Sequence, residues 1–197
     1  DALQRIAKVE LPPVNPILGS EKTREYRNKL EFTFSNKMWL TAEQLASGVE
    51  FPDRNAVGFH IPNGFNKVLD IKKCWLQDNI NNELRLFIRN YALSKGYTFF
   101  DKRENTGLMR MMMIRVASTG EIMLVVVFGE DDNAAINDVM HAIHEKFPSI
   151  TCLMHVVNLK RNDSLGDQEF ILDYGRDYIE EEMEGLKFRI GPKSFYQ

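Results

Sequence analysis

Ile122-Met123-Leu124-Val125-Val126-Val127-Phe128 is apolar without a break, and its reading decides the fold. A run with no polar alternation suits a strand covered on both faces. Before it, Ser118-Thr119-Gly120 is a turn that joins it to a second strand at 109–117. After it, Ile136, Val139, Met140, Ile143 and Phe147 recur at helical spacing. Asp131-Asp132 lies at that helix's positive end and Pro148 stops it. Another strand follows at 152–159. Upstream, Ile80, Leu84, Phe87, Ile88 and Tyr91 share one helical face, which Asp78 or Asn79 can cap and Gly96 can end in the left-handed conformation. With 68–71 as the first strand, the order is β-α-β-β-α-β. This predicts an α+β chain built on the ferredoxin-like split βαβ plait.

Additional antiparallel hairpins are expected at both ends. Leu30, Phe32 and Phe34 alternate with Glu31 and Thr33, a half-buried strand that turns at Ser35-Asn36 into Met38-Trp39-Leu40. Residues 41–55 read as loop, and strands at 57–61 and 68–71 flank the Pro62-Asn63-Gly64 turn. Near the C-terminus 170–174 is a strand, and 178–183 pairs with 186–190 across Glu184-Gly185. At the N-terminus, 1–9 reads as a short amphipathic helix with Leu3, Ile6 and Ala7 on one face, and Pro12, Pro13 and Pro16 then impose an extended path. The expected organisation is an N-terminal arm at 1–20, a central α+β domain at 21–190, and a separate segment at 191–197.

The 197 residues are 44% hydrophobic and 27% charged, with a net charge of −3. That excludes collagen-like, low-complexity and wholly disordered chains. The charge is uneven, +3 over residues 1–100 and −6 over 101–197, so a polyanion is expected to favour the first half. No apolar run is long enough to span a bilayer and no secretory signal is present. Cys74 and Cys152 are too few for a disulfide framework, which points to a reducing, cytoplasmic setting. A start at Asp1 and a stop at Gln197 are expected of a piece of something longer.

Few residues offer chemistry. There is no G-x-G-x-x-G and no Walker A loop. His141 and His144 sit one helical turn apart without a third ligand at useful spacing, so a solvated helix face is the better reading. His60 and His155 fall in strands, and the methionines from Met109 to Met123 read as core. Glu180-Glu181-Glu182 reads as a solvated strand edge. Arg27 and Lys29, two apart, share a strand face opposite Leu30, Phe32 and Phe34, with Tyr26 adjacent. Two cations beside an aromatic ring suit an RNA backbone and a stacked base, while the alternative is an ordinary solvated strand. Arg110 and Arg115, five apart, should face opposite ways in a regular strand.

Several segments together resemble a known family. They are Asp1-Ala2-Leu3-Gln4-Arg5-Ile6, Tyr26-Arg27-Asn28-Lys29, Gly58-Phe59, Asp70-Ile71-Lys72-Lys73-Cys74, and the end from Phe188-Arg189-Ile190-Gly191-Pro192 to Lys193-Ser194-Phe195-Tyr196-Gln197. In that order they resemble the central part of the bacterial RNA uracil-5-methyltransferases, closest to those acting on 23S ribosomal RNA. The resemblance implies a parent with an N-terminal RNA-binding domain, a central domain and a C-terminal Rossmann-like domain that binds S-adenosylmethionine. In this family a cysteine thiolate adds to C6 of uracil, C5 takes the methyl group, and a carboxylate removes the C5 proton. The resemblance places the nucleophile, the base and the cofactor loop past Gln197, so the chain is expected to be inactive by itself.

The same resemblance assigns sites. Gln197 matches a glutamine at the substrate–cofactor junction, and an amide both donates to and accepts from a uracil edge. Phe195 matches an aromatic able to stack on a base, and Arg27 and Lys29 match a basic pair facing the RNA. Cys74 matches the fourth ligand of a four-iron four-sulfur cluster whose other three cysteines would precede Asp1. Cys74 is then expected to be a free thiol near the surface, labelled faster than Cys152, and burial in the core would end the ligand assignment. The expected partners are ribosomal RNA and the parent's own flanking domains, with no membrane. The other reading is a free-standing ferredoxin-like module that binds RNA or protein.

Overall fold

A computed structural model describes residues 2–196. Ten strands and three α-helices follow in the order β1 (Lys29–Ser35), β2 (Met38–Trp39), α1 (Ala42–Ala46), β3 (Ala56–Ile61), β4 (Gly64–Asp70), α2 (Ile80–Ser94), β5 (Met109–Val116), β6 (Ile122–Phe128), α3 (Asn133–Lys146), β7 (Cys152–Val157), β8 (Ile171–Gly175), β9 (Ile179–Met183) and β10 (Leu186–Ile190). Eight strands form one mixed sheet in the order β2-β4-β3-β1-β5-β6-β7-β8, and β9 and β10 form a separate hairpin. β6 and β7 are parallel neighbours joined through α3, the connection that a parallel pair requires.

The α+β class holds, but the strand order is not that of the plait. A plait would place the strand before α2 beside β6 and β7. Here β4 pairs instead with β3 and β2. β1 inserts between β3 and β5, with Thr33 opposite both Gly58 and Met111. The reason lies in β1 itself: Leu30, Phe32 and Phe34 are buried at 5%, 0% and 0% exposure. Their apolar face must join the main core, so β1 takes a central place, and chain order alone does not reveal this.

The main core lies between the sheet and α2 and α3, where Phe32, Phe34, Met112, Leu124 and Val126 meet Leu84, Ile88, Ile136 and Val139. Asp132 caps α3, accepting from the N–H groups of Ala134 and Ala135 at 3.1 Å. Gly96, at φ +73°, follows α2. Asp138 of α3 stitches the helices together, accepting from the hydroxyls of Tyr91 at 2.9 Å and Tyr97 at 2.8 Å and pairing with Lys95. Every residue of β6 is buried, as a strand covered on both faces must be. Met111, Met113, Met123, Val125 and Val127 face away from the helices and pack on Ile179 and Ile190 of the β9–β10 hairpin.

Three further expectations change. The N-terminal segment is a single π-helical turn at Ala2–Ile6 with no buried residue, Leu3 being 56% and Ile6 72% exposed. Residues 41–55 hold a helix, α1, closed by a capping box: Thr41 Oγ1 accepts from the Gln44 N–H, and the Gln44 amide oxygen accepts from the Thr41 N–H. Thr-x-x-Gln is the sequence signature of that box. Met38–Trp39 does not fold back on β1 but runs parallel to β4.

Candidate nucleic-acid interface

β1 carries the polar face that matters. Its side chains alternate, so Leu30 and Phe32 enter the core while Lys29, Glu31 and Thr33 point away from the helices. Lys29 pairs with Glu31 at 2.8 Å and stays partly exposed. Arg27 lies just before the strand, exposed, its N–H donating to the Leu76 carbonyl at 2.8 Å. Arg27 and Lys29 line one shallow depression with Phe59 and Leu76. Lys29 also lines a cleft of about 310 Å³ with Glu31, Arg115 and Phe195. Lys29 thus joins the predicted basic pair to the predicted aromatic. Gln197 lies outside the described residues.

Phe195 is 94% exposed beside a turn held from beneath. Arg115, only 2% exposed, donates to the carbonyls of Gly191 at 3.0 Å, Pro192 at 3.2 Å and Ser194 at 2.9 Å. Burial pulls its pKa down from the usual arginine value, and carbonyl dipoles receive its charge. The turn closes on itself through Gly191 N–H to Ser194 Oγ at 3.0 Å. Tyr196 donates its hydroxyl to Glu181, which also accepts from Ser118 N–H at 3.0 Å. Burial would raise the Glu181 pKa, but the hydrogen bonds from Ser118 and Tyr196 hold it down. Burial and the Glu181 carboxylate both push the Tyr196 phenol up.

Arg110 plays the matching part beside a neighbouring cavity. It is 2% exposed, donates to the carbonyls of Asn158, Lys160 and Asn162, and pairs with Asp163 at 3.0 Å. Asp163 lines the same cleft as Arg115. The two arginines therefore serve one side of the sheet, contrary to the regular alternation. A register shift between Met109 and Met111 resets the pattern at Arg110. Neither offers a charge to solvent. Sequence reasoning missed both as positioning residues, and their only signal was a charge inside an otherwise apolar strand.

The histidines form no metal centre. His144 stacks on Tyr174 with centroids 3.8 Å apart, and His141 Nδ1 meets the Tyr174 hydroxyl at 3.3 Å. His155 pairs with Asp173 at 2.8 Å. His60 lines a neighbouring cavity with Lys102 and Asp163, and burial with the nearby Lys102 charge lowers its pKa. Among the described residues no three His, Cys, Asp or Glu side chains gather as a metal would require.

Cys74 corrects the largest expectation. It is 5% exposed and belongs to the main core. The Asn82 amide fixes its backbone at both ends, accepting from the Cys74 N–H at 2.7 Å and donating to its carbonyl at 3.1 Å. Beneath it lies Arg85, fully buried, donating to the carbonyls of Ile71 and Lys72 and to Asn82. Cys152 packs in the core on the other side of the sheet, and burial pushes its thiol up to about 12. The thiol expected near the surface sits inside. The expected surface position of Cys74 is thereby corrected, and the exposure expected of a cluster ligand is not met.

No family model matches the chain. It is 56% identical over 202 residues to a protein named an uncharacterized RNA methyltransferase in Porphyromonas gingivalis, covering all of this chain and 43% of that one. A protein of the same name in Bacteroides thetaiotaomicron is 49% identical, with all of this chain and 44% of that one covered. Along its whole length the chain is similar to proteins named RNA methyltransferases. It spans under half the length of these curated relatives. Its fold also matches the crystal structure of Pyrococcus abyssi tRNA (uracil-54, C5)-methyltransferase in complex with S-adenosyl-L-homocysteine. The TM-score is 0.63 and the identity 20%, with 90% of this chain and 38% of that one covered. At that identity the likeness is one of fold. No helix among the described residues is long and apolar enough to cross a membrane.

Proposed function

We propose that this chain is the central, RNA-facing part of an S-adenosylmethionine-dependent RNA uracil-5-methyltransferase acting on 23S ribosomal RNA in the cytoplasm. In this reading the methyl-transfer machinery lies in other parts of a longer protein. Residues 1–20 are then an arm toward its N-terminal domain and 191–197 the lead into its catalytic domain. The observation that carries the reading is the cleft in which Lys29 and the exposed ring of Phe195 meet above the turn that Arg115 holds. Whole-length similarity to proteins named RNA methyltransferases supports it. A cation beside a free aromatic ring is a minimal platform for phosphate and base. Gln197, two residues after Phe195, is assigned to the uracil edge by the resemblance alone.

The test is binding of a uridine-containing stem-loop in low salt by the wild-type chain and by an Arg27→Ala/Lys29→Ala double variant. Wild-type binding is expected to be weak and salt-sensitive, because phosphate contacts act through counterion release. The double variant is expected to lose about tenfold in affinity, and equal affinities would remove both residues from the RNA surface. Calorimetry with S-adenosylmethionine is expected to show no uptake by this chain. Stoichiometric binding would overturn the placement of the cofactor site elsewhere in the protein.

A further inference from the structure

Trp75 is 45% exposed, although its neighbours Cys74 and Gln77 are buried. Two cations sit over its ring, Lys73 at 3.8 Å and Arg24 at 4.5 Å from the centroid. The chain before β1 is fastened alongside by two backbone hydrogen bonds, Glu25 N–H to the Trp75 carbonyl and Arg27 N–H to the Leu76 carbonyl, both 2.8 Å. Positions 22–29 and 72–75, far apart in sequence, thereby become one surface. It carries Lys22, Arg24, Arg27, Lys29, Lys72 and Lys73 against the single carboxylate of Glu25. Of these cations only Lys29 has an ion-pair partner among the described residues. The depression lined by Arg27, Lys29 and Leu76 continues this surface toward β1.

Cations left unpaired around an exposed indole call for a partner that brings both negative charge and flat rings. Single-stranded nucleic acid has both: phosphates meet the cations, and a base stacks on an aromatic ring or on a guanidinium plane. An acidic peptide would satisfy the charges and leave the ring unused. We propose that Trp75, Arg24 and Lys73, extended by Arg27 and Lys72, form a single-stranded RNA site. One base stacks at the Trp75–Arg24 pair, and the flanking phosphates meet Lys73 and Arg27. The site rests on the reading that this chain binds RNA, and it gives that RNA a second hold separate from the cleft at Phe195.

The test titrates the full chain with a uridine dodecamer and with a glutamate oligomer of equal charge, following indole fluorescence. Trp39→Phe leaves Trp75 as the chain's only tryptophan, and its emission is expected to be quenched by the dodecamer. Trp75→Ala is expected to weaken binding about tenfold, the scale of one lost stacked base. Lys73→Gln is expected to flatten the plot of log affinity against log salt by about 0.7, one single-strand phosphate contact. If the wild type binds the dodecamer but neither variant changes affinity or slope, the site is wrong and the RNA reading stands. Equal binding of the glutamate oligomer also overturns the site. If the wild type binds no RNA in any form, both fall together.

Discussion

Under α2 and α3 the sheet presents Leu30, Phe32, Phe34, Met112, Leu124 and Val126, none more than 5% exposed. β1 turns Lys29, Glu31 and Thr33 to the opposite side, where a second apolar core lies beneath the β9–β10 hairpin, Leu165 and Phe170. The helix face is held by buried area, which is strong but non-directional. The other face is held at two points by buried arginines, each gripping three backbone carbonyls. Directed hydrogen bonds fix the position of a loop in a way that apolar contact does not. That is what a surface presenting Phe195 at a fixed place requires.

The largest effect expected from this contrast separates neighbours on β1. Phe32 is fully buried, stacked on Phe59 at 5.1 Å and lying under the Arg85 guanidinium. Phe32→Ala is expected to cost about 4 kcal/mol in urea unfolding, from lost transfer energy and the cavity left behind. Thr33→Ala, one residue on and facing the other way, is expected to change stability by less than about 0.5 kcal/mol. Equal costs would mean that the two faces are packed alike. The second effect breaks the directed contacts: Arg115→Ala is expected to cost about 3 kcal/mol, because three carbonyls lose their donor. Amide exchange at Gly191 and Ser194 should accelerate more than exchange in β6. Uniform acceleration would show that Arg115 supports the whole sheet and not the turn.

The two faces were also unequally legible in the sequence. The helix face announces itself by period: Ile80 to Tyr91 and Ile136 to Phe147 mark α2 and α3, and the unbroken run of β6 marks a strand buried on both sides. Period fixes which residues turn inward but not which strand lies next to which, so β1 entered the centre of the sheet unannounced. The other face is built from contacts between residues far apart. Arg115 reaches turn 191–194, and Arg24 reaches Trp75. Nothing local in the sequence encodes either meeting. Arg110 departs from its expected side because one register shift inverts the regular alternation of β5. Cys74 was misplaced because the resemblance spoke of a parent's cluster, while Asn82 and Arg85, which bury it here, belong to a helix read only for its apolar face.

The smallest effect concerns the rim of the open face, where Asp101 ties the end of β1 to the loop after α2. Its carboxylate accepts from Asn36 Nδ2 at 3.1 Å, from the N–H groups of Arg103 at 3.0 Å and Glu104 at 3.3 Å, and pairs with Lys37 at 3.1 Å. Burial would raise its pKa, but those donors prevail and hold it at about 2. An unfolded aspartate titrates near 3.9, so the folded value is the lower one. The stabilisation is therefore complete above about pH 4 and is lost as the pH falls toward 2. Its size is about 1.5 kcal/mol once solvent screening is allowed for. Asp101→Asn removes it at every pH. The stability gap between wild type and variant should be constant from pH 7 to 5 and narrow between pH 4 and 2.5. A gap that persists unchanged at pH 2.5 would assign the effect to amide geometry and not to the ionised carboxylate. The same variant should leave the affinity for the uridine stem-loop unchanged at pH 7, because Asp101 braces the rim and lies outside the cleft where Lys29 and Phe195 meet.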